Sequence, residues 1–168
     1  MTSVRLLGAL LLVAGGFLGG RACLAEYRVR VITLRALTAS LARIRAEIAL
    51  CRTPLPELLS SEAARTDGRV QAFYREALRR YGEEGRFRTS WDGASELLRL
   101  PSDARAVLVS LGDILGRYDA QTQEDALLHA ENLLERCAAD AENDRKQRGT
   151  LYAKLLPGLA FAAAILLW

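Results

Sequence analysis

One histidine, His129, stands in 168 residues, and no cysteine or second histidine lies at ligand spacing from it. That scarcity removes the usual zinc arrangements, which need several Cys or His side chains at short fixed spacings. It also leaves proton transfer to carboxylates, and these follow the polar faces of predicted helices without any pair standing apart. Cys23, Cys51 and Cys137 are odd in number and widely spaced, which argues against a disulfide framework. They read as small apolar filler in a reducing compartment. No GxxxxGK[ST], HExxH or GxSxG run occurs, so neither a phosphate-binding loop nor a hydrolase signature is present. The expectation is a protein that is not an enzyme, with no metal, no cofactor and no small-molecule substrate.

Lysine is almost absent too: only Lys146 and Lys154 accompany 21 arginines. The arginines are dispersed, as on solvated helix faces. A nucleic-acid site would cluster them on one face with aromatics to stack bases, so no nucleic-acid partner is expected. Aromatics make up 7% of the chain and β-branched residues are few. A composition rich in Ala, Leu, Arg and Glu favours helix over strand.

What the chain has in quantity is apolar sequence at both ends. Residues 6–20 read LLGALLLVAGGFLGG without a charge. If Arg21 snorkels to the interface, residues 6–25 give about 20 positions, the length that spans a bilayer. Residues 155–168, LLPGLAFAAAILLW, are also uncharged. Alone they reach only about 21 Å as a helix, but Lys154 can snorkel and Trp168 suits an aromatic belt. Both ends read as transmembrane helices, in contact with membrane lipid. Small residues spaced i, i+4 (Gly15 with Gly19, Gly16 with Gly20, Gly158 with Ala162) mark candidate faces for packing the two membrane helices together. A signal peptide is the competing reading of the first segment, with small residues suiting cleavage near Ala22 or Ala25. Arg21, Arg28, Arg30 and Arg35 follow the first segment, and Arg145, Lys146, Arg148 and Lys154 precede the end of the chain. The positive-inside rule puts the middle in the cytoplasm and both termini outside.

The middle reads as helices throughout. Leu34, Leu37, Leu41, Ile44 and Ile48 alternate steps of three and four, so the first helix runs on from the membrane segment until Pro54 stops it. Thr53 is the expected N-cap of a short helix with Pro54 at its first position. After a turn at Thr66-Asp67-Gly68, Val70, Phe73, Tyr74, Ala77, Leu78 and Tyr81 form the next apolar face, ended by Gly82 and Gly85. Ser90 is read as the cap of a short helix carrying Trp91, Ala94, Leu97 and Leu98, and Ser102 as the cap of another with Val107, Leu108, Leu111 and Leu115 inward. Gly116 should close that helix in a left-handed conformation, and Asp119 should open the last one, buried along Leu127, Ala130, Leu134, Cys137 and Ala141. Residues 103–144 carry a net charge of −7 and residues 26–52 a net of +4. The plain explanation is attraction between neighbouring first and last helices; an acidic face for a partner is the sharper one. The fold class is all-α: an antiparallel helical bundle flanked by an N-terminal and a C-terminal transmembrane helix. Its expected segments are 1–25 in the membrane, 26–150 as the cytoplasmic bundle and 151–168 in the membrane.

Three stretches resemble a known family. One is Glu47-Ile48 followed by Arg52-Thr53-Pro54-Leu55-Pro56-Glu57-Leu58-Leu59. The second is Trp91. The third is Leu111-Gly112-Asp113-Ile114-Leu115-Gly116-Arg117-Tyr118-Asp119, with Gln123 four residues on. Their order and spacing, with the apolar ends, resemble stage III sporulation protein AB of endospore-forming bacteria from end to end. Leu50-Cys51 departs from the aromatic-glycine pair that often precedes the TPLP run. The resemblance implies a domain like that of the F-type platform protein of type II secretion systems. It implies a place in the mother-cell membrane around the forespore, within a channel joining the two cells. The implied partners are a secretion-type ATPase, stage III sporulation protein AA, and other membrane proteins of the operon. Thr53, Pro54, Leu55, Pro56, Leu111, Gly112, Gly116, Asp119 and Gln123 are expected to shape turns rather than perform chemistry. An exported helical adaptor and a stand-alone membrane-anchored regulator remain as other classes.

Overall fold

The computed structural model describes the backbone of residues 2–51 and 53–166 and the side chains of residues 25–51 and 53–147. Its elements are helices α1 (Thr2–Cys51), α2 (Leu55–Arg65), α3 (Gly68–Glu84), α4 (Phe87–Ser95), α5 (Ser102–Ile114) and α6 (Ala120–Leu166), with a 3-10 turn at Glu96–Leu98. No strand occurs among the described residues. The chain divides into two compact units, one of residues 30–139 and one of residues 1–29 with 140–168. The terminal apolar runs, and with them Gly15, Gly16, Gly19, Gly20, Gly158 and Ala162, lie outside the described side chains. Among the described residues no helix is long and apolar enough to cross a membrane.

In the 30–139 unit each short helix packs on the one before it: α3 on α2, α4 on α3, α5 on α4. The α1 stripe read from the sequence is the core: Leu34, Leu37, Leu41, Ile44 and Ile48 are all buried. Val70, Phe73, Tyr74 and Ala77 of α3 and Leu108 and Leu111 of α5 are buried as well. Phe73 and Trp91 stand edge to face, with ring centroids 4.7 Å apart, a favoured aromatic geometry. Ser40 and Tyr74 bury their hydroxyls as a bonded pair. The Ser40 hydroxyl donates to the Leu37 carbonyl at 2.7 Å, which leaves its oxygen to accept from the Tyr74 phenol, also at 2.7 Å. Complete burial pushes the Tyr74 phenol pKa well above its usual value, so Tyr74 stays a donor.

Charge ties α1 to its neighbours on two sides. Arg43 forms a bidentate pair with Glu62 of α2, its shortest contact 2.6 Å. Arg45 does the same with Glu131 of α6 at 2.8 and 3.2 Å. The second pair is the attraction between first and last helices that their opposite net charges suggested.

Several local expectations are corrected. Thr53 does not cap α2: the helix starts at Leu55, Pro54 takes the capping position with ψ 137°, and no side chain caps it. Instead the Pro54 carbonyl accepts from the Glu57 and Leu58 amides. The second proline, Pro56, sits in the first turn, where a missing donor costs nothing. Ser90 lies inside α4, not at its start. Gly85, with φ +66°, reverses the chain so tightly that the helix resumes at Phe87, and the Ser90 hydroxyl donates back to the Arg86 carbonyl. Ser102 bonds Asp103 instead of capping α5. Leu97 faces water while Leu98 is buried, because the helix tightens to 3-10 geometry and changes the angular step. Ala138 takes the buried position expected for Cys137, which is half-buried, and Cys51 is exposed rather than filler.

Candidate functional site: a cleft between two turn motifs

The two turn motifs lie far apart in sequence and close together in the fold. Ile48, Thr53, Leu55 and Leu58, from the α1–α2 turn, and Gly116, Asp119, Ala120 and Gln123, from the α5–α6 turn, line one cleft of about 470 Å³. A smaller groove adjoins it through the shared residues Thr53 and Leu58, with Glu47 and Glu57 among its walls.

The second turn is built by three side-chain decisions. Gly116 takes φ +74°, a left-handed conformation that a Cβ disfavours. Space is tight as well, since a Cβ there would lie 3.2 Å from Leu55 Cδ2. Gln123 then reaches back from α6: its Oε1 accepts from the Gly116 amide at 3.0 Å and its Nε2 donates to the Tyr118 carbonyl at 2.7 Å. One side chain thus satisfies a donor and an acceptor of an exposed loop and fixes its path. Asp119 caps α6, accepting from the Thr122 amide at 3.0 Å and the Thr122 hydroxyl at 2.7 Å. Those two bonds hold its carboxyl below the usual aspartate range, so the cap is ionised at neutral pH.

Leu111 and Gly112 belong to the same motif but do not reach the cleft. They lie on the buried face of α5. A Cβ on Gly112 would overlap the Trp91 indole, and the indole N–H donates to the Leu108 carbonyl one turn earlier, at 2.8 Å. Trp91 and Gly112 are therefore two halves of one contact. Sequence reasoning placed Ile48 in the α1 stripe, quoted Leu58 only within the run from Arg52 to Leu59, and did not single out Ala120, whose place next to Asp119 was the signal available.

Among the described residues no group of His, Cys, Asp or Glu is placed to hold a metal ion. His129 is exposed on α6. The cleft offers apolar walls, the Asp119 carboxylate and backbone fixed by side chains, which suits binding a surface.

The fold and cleft define a class: an all-helical bundle whose two turn motifs line one cleft. A family model for stage III sporulation protein AB matches residues 5–168. The chain belongs to the stage III sporulation protein AB family. A solved structure of a stage III sporulation protein AB has a similar fold, with a TM-score of 0.64 at 24% identity, over 71% of this chain and 98% of that one. No curated protein matches the sequence.

Proposed function

We propose that the protein is a non-enzymatic membrane platform component of a secretion-like sporulation complex between mother cell and forespore. Membership of the sporulation family gives it a role in sporulation. The observation that carries the finer reading is the extent of the family match, residues 5–168, which takes in both apolar ends together with the bundle. Residues 1–25 and 151–168 span the membrane around the forespore, residues 26–150 form a cytoplasmic domain like that of the F-type secretion platform, and both termini lie outside. The bundle docks a secretion-type ATPase, stage III sporulation protein AA, beside other membrane proteins of the operon. Gly15, Gly16, Gly19, Gly20, Gly158 and Ala162 pack the two membrane helices together.

Crosslinking of the intact protein in sporulating membranes tests the partner: a covalent product with the ATPase is expected, and its absence overturns the reading. Orientation is read separately in a background with Cys23, Cys51 and Cys137 replaced by serine. A cysteine at position 2 is expected to react in intact cells with an impermeant maleimide, and one at position 85 only after permeabilisation.

A further inference from the structure

The pair Asp-Gly occurs twice in the chain, at Asp67-Gly68 and at Asp92-Gly93. In such a pair the aspartate carboxyl carbon can reach the next amide nitrogen, and glycine has no side chain to hinder the approach. Ring closure needs a free amide and a backbone that can turn, and the two pairs differ in both. Asp67 and Gly68 are exposed at the corner between α2 and α3. Asp67 is extended, with ψ 168°, and its side chain makes no capping bond to α3. Gly68 is the first residue of α3, so its amide has no acceptor within the helix. Its φ is +60° and the space beside its Cα is open. Asp92 and Gly93 lie inside α4, where each such amide is bonded to the carbonyl four residues back. Asp92 also faces Arg105 at 3.5 Å, and the Arg80 guanidinium fills the space beside Gly93.

We infer that Asp67 is a site of spontaneous covalent modification, isomerising to isoaspartate through a cyclic imide with Gly68, while its helix protects Asp92. The Gly68 nitrogen attacks the side-chain carboxyl carbon of Asp67 in its acid form. A carbon–nitrogen bond forms, and the acid hydroxyl leaves with the amide proton as water. Water then opens the imide at one of its two carbonyl carbons. Breaking the bond from nitrogen to the side-chain carbon restores aspartate. Breaking the bond from nitrogen to the main-chain carbon leaves the chain running through the Asp67 side chain, longer by one methylene. No co-reactant besides water takes part. The former main-chain carbonyl becomes a pendant carboxylate, and that carbonyl is the acceptor of the Gln71 amide at 3.4 Å in the first turn of α3. Thr66 and Val70, on either side of the corner, are buried. Isomerisation therefore loosens the corner that seats α3 on α2.

The test ages the full chain in nanodiscs at neutral pH for several weeks. Digestion after glutamate then yields residues 63–76 and 85–96, which carry one Asp-Gly pair each. Chromatography with fragment-ion mass spectrometry separates isoaspartate from aspartate in each peptide. At least tenfold more isoaspartate is expected at position 67 than at position 92. In a parallel sample held in guanidinium chloride, where no helix protects position 92, the two are expected to accumulate at similar rates. Equal amounts at the two positions in the folded protein overturn the inference. So does a tenfold difference that persists in guanidinium chloride, since the neighbouring sequence rather than the fold then sets the rate. Aged protein is expected to show a second thermal transition below that of fresh protein. Asp67→Ser has no carboxyl to close the ring and is expected not to gain that transition. The same transition in aged Asp67→Ser, or isoaspartate at position 67 with an unchanged melting curve, overturns the loosened corner.

Discussion

Gly116 and Thr53 sit across the same cleft, and a change of side chain is worth very different amounts at the two positions. Gly116 combines a left-handed backbone with a neighbour, Leu55 Cδ2, 3.2 Å from where a Cβ would be. Gly116→Val is expected to cost about 1–2 kcal/mol for the backbone alone, read as a lower Tm in thermal unfolding followed by circular dichroism. Thr53→Ala is expected to leave Tm unchanged, because no side-chain hydrogen bond caps α2. Asp119 adds a pH dependence. Its folded pKa lies below the unfolded value because the Thr122 amide and hydroxyl bond the carboxylate. The stability it contributes is therefore complete above the unfolded carboxylate range, near pH 4 in an unstructured chain (about 3.9), and is lost as pH falls through the folded pKa. The Tm gap between the parent and Asp119→Ala is expected to be constant around neutrality and to narrow in melts below about pH 4. A gap that widens on acidification is the opposite sign and excludes the cap as its cause.

At the scale of elements, α4 and α5 are fitted to each other through the Trp91 indole and the bare backbone of Gly112. Gly112→Ala pushes a methyl group into the ring and is expected to cost about 1–3 kcal/mol, as overpacking does. Trp91→Phe loses the bond to the Leu108 carbonyl and is expected to cost about 1 kcal/mol or more. The smaller ring also vacates the space the new methyl needs, so the double variant is expected to lose less than the two singles together. A thermal-unfolding cycle measures that coupling, and strict additivity contradicts the contact. The helices themselves were legible in the sequence. Apolar spacing gave α1 its buried stripe, and the glycines at 85 and 116 marked real helix ends through their positive φ. Helix beginnings were less legible. Asp119 was read correctly as a cap, whereas Thr53, Ser90 and Ser102 were not caps. A hydroxyl has several backbone groups within reach, and Ser90 takes the Arg86 carbonyl while Ser102 takes Asp103. Ser102 and Thr53 each adjoin a proline that occupies the capping position instead. Apolar periodicity is a repeated signal that survives single exceptions. A cap is one side chain choosing among neighbours, and tertiary geometry makes the choice.

For the whole bundle, the sequence carried the charge asymmetry but not its pairing. Nothing in the spacing says that Arg43 meets Glu62 and Arg45 meets Glu131. The Glu62 side chain is only 4% exposed, so removing its cation strands a buried carboxylate. Arg43→Ala is expected to cost about 2 kcal/mol or more, and Glu62→Gln less, since the amide can still accept a hydrogen bond and carries no charge to desolvate. Urea titration checks the order through the unfolding midpoints; equal losses rule out a stranded charge. The cleft was legible only in halves. Both motifs stood out as runs of turn residues, yet their meeting depends on the return of α5 to the end of α1, which no local pattern encodes.

The Arg45–Glu131 link closes a loop across a sequence separation of 86 residues, and that span has a consequence for how the protein is made. Chains lengthen on the ribosome at about 5–20 residues per second, so Glu131 follows Arg45 by roughly 4–17 seconds. During that interval the side of α1 that α6 will cover is left uncovered, while α2 to α5 assemble through short-range contacts. The nascent chain is therefore most exposed to proteases and to wrong partners just before its last helix emerges.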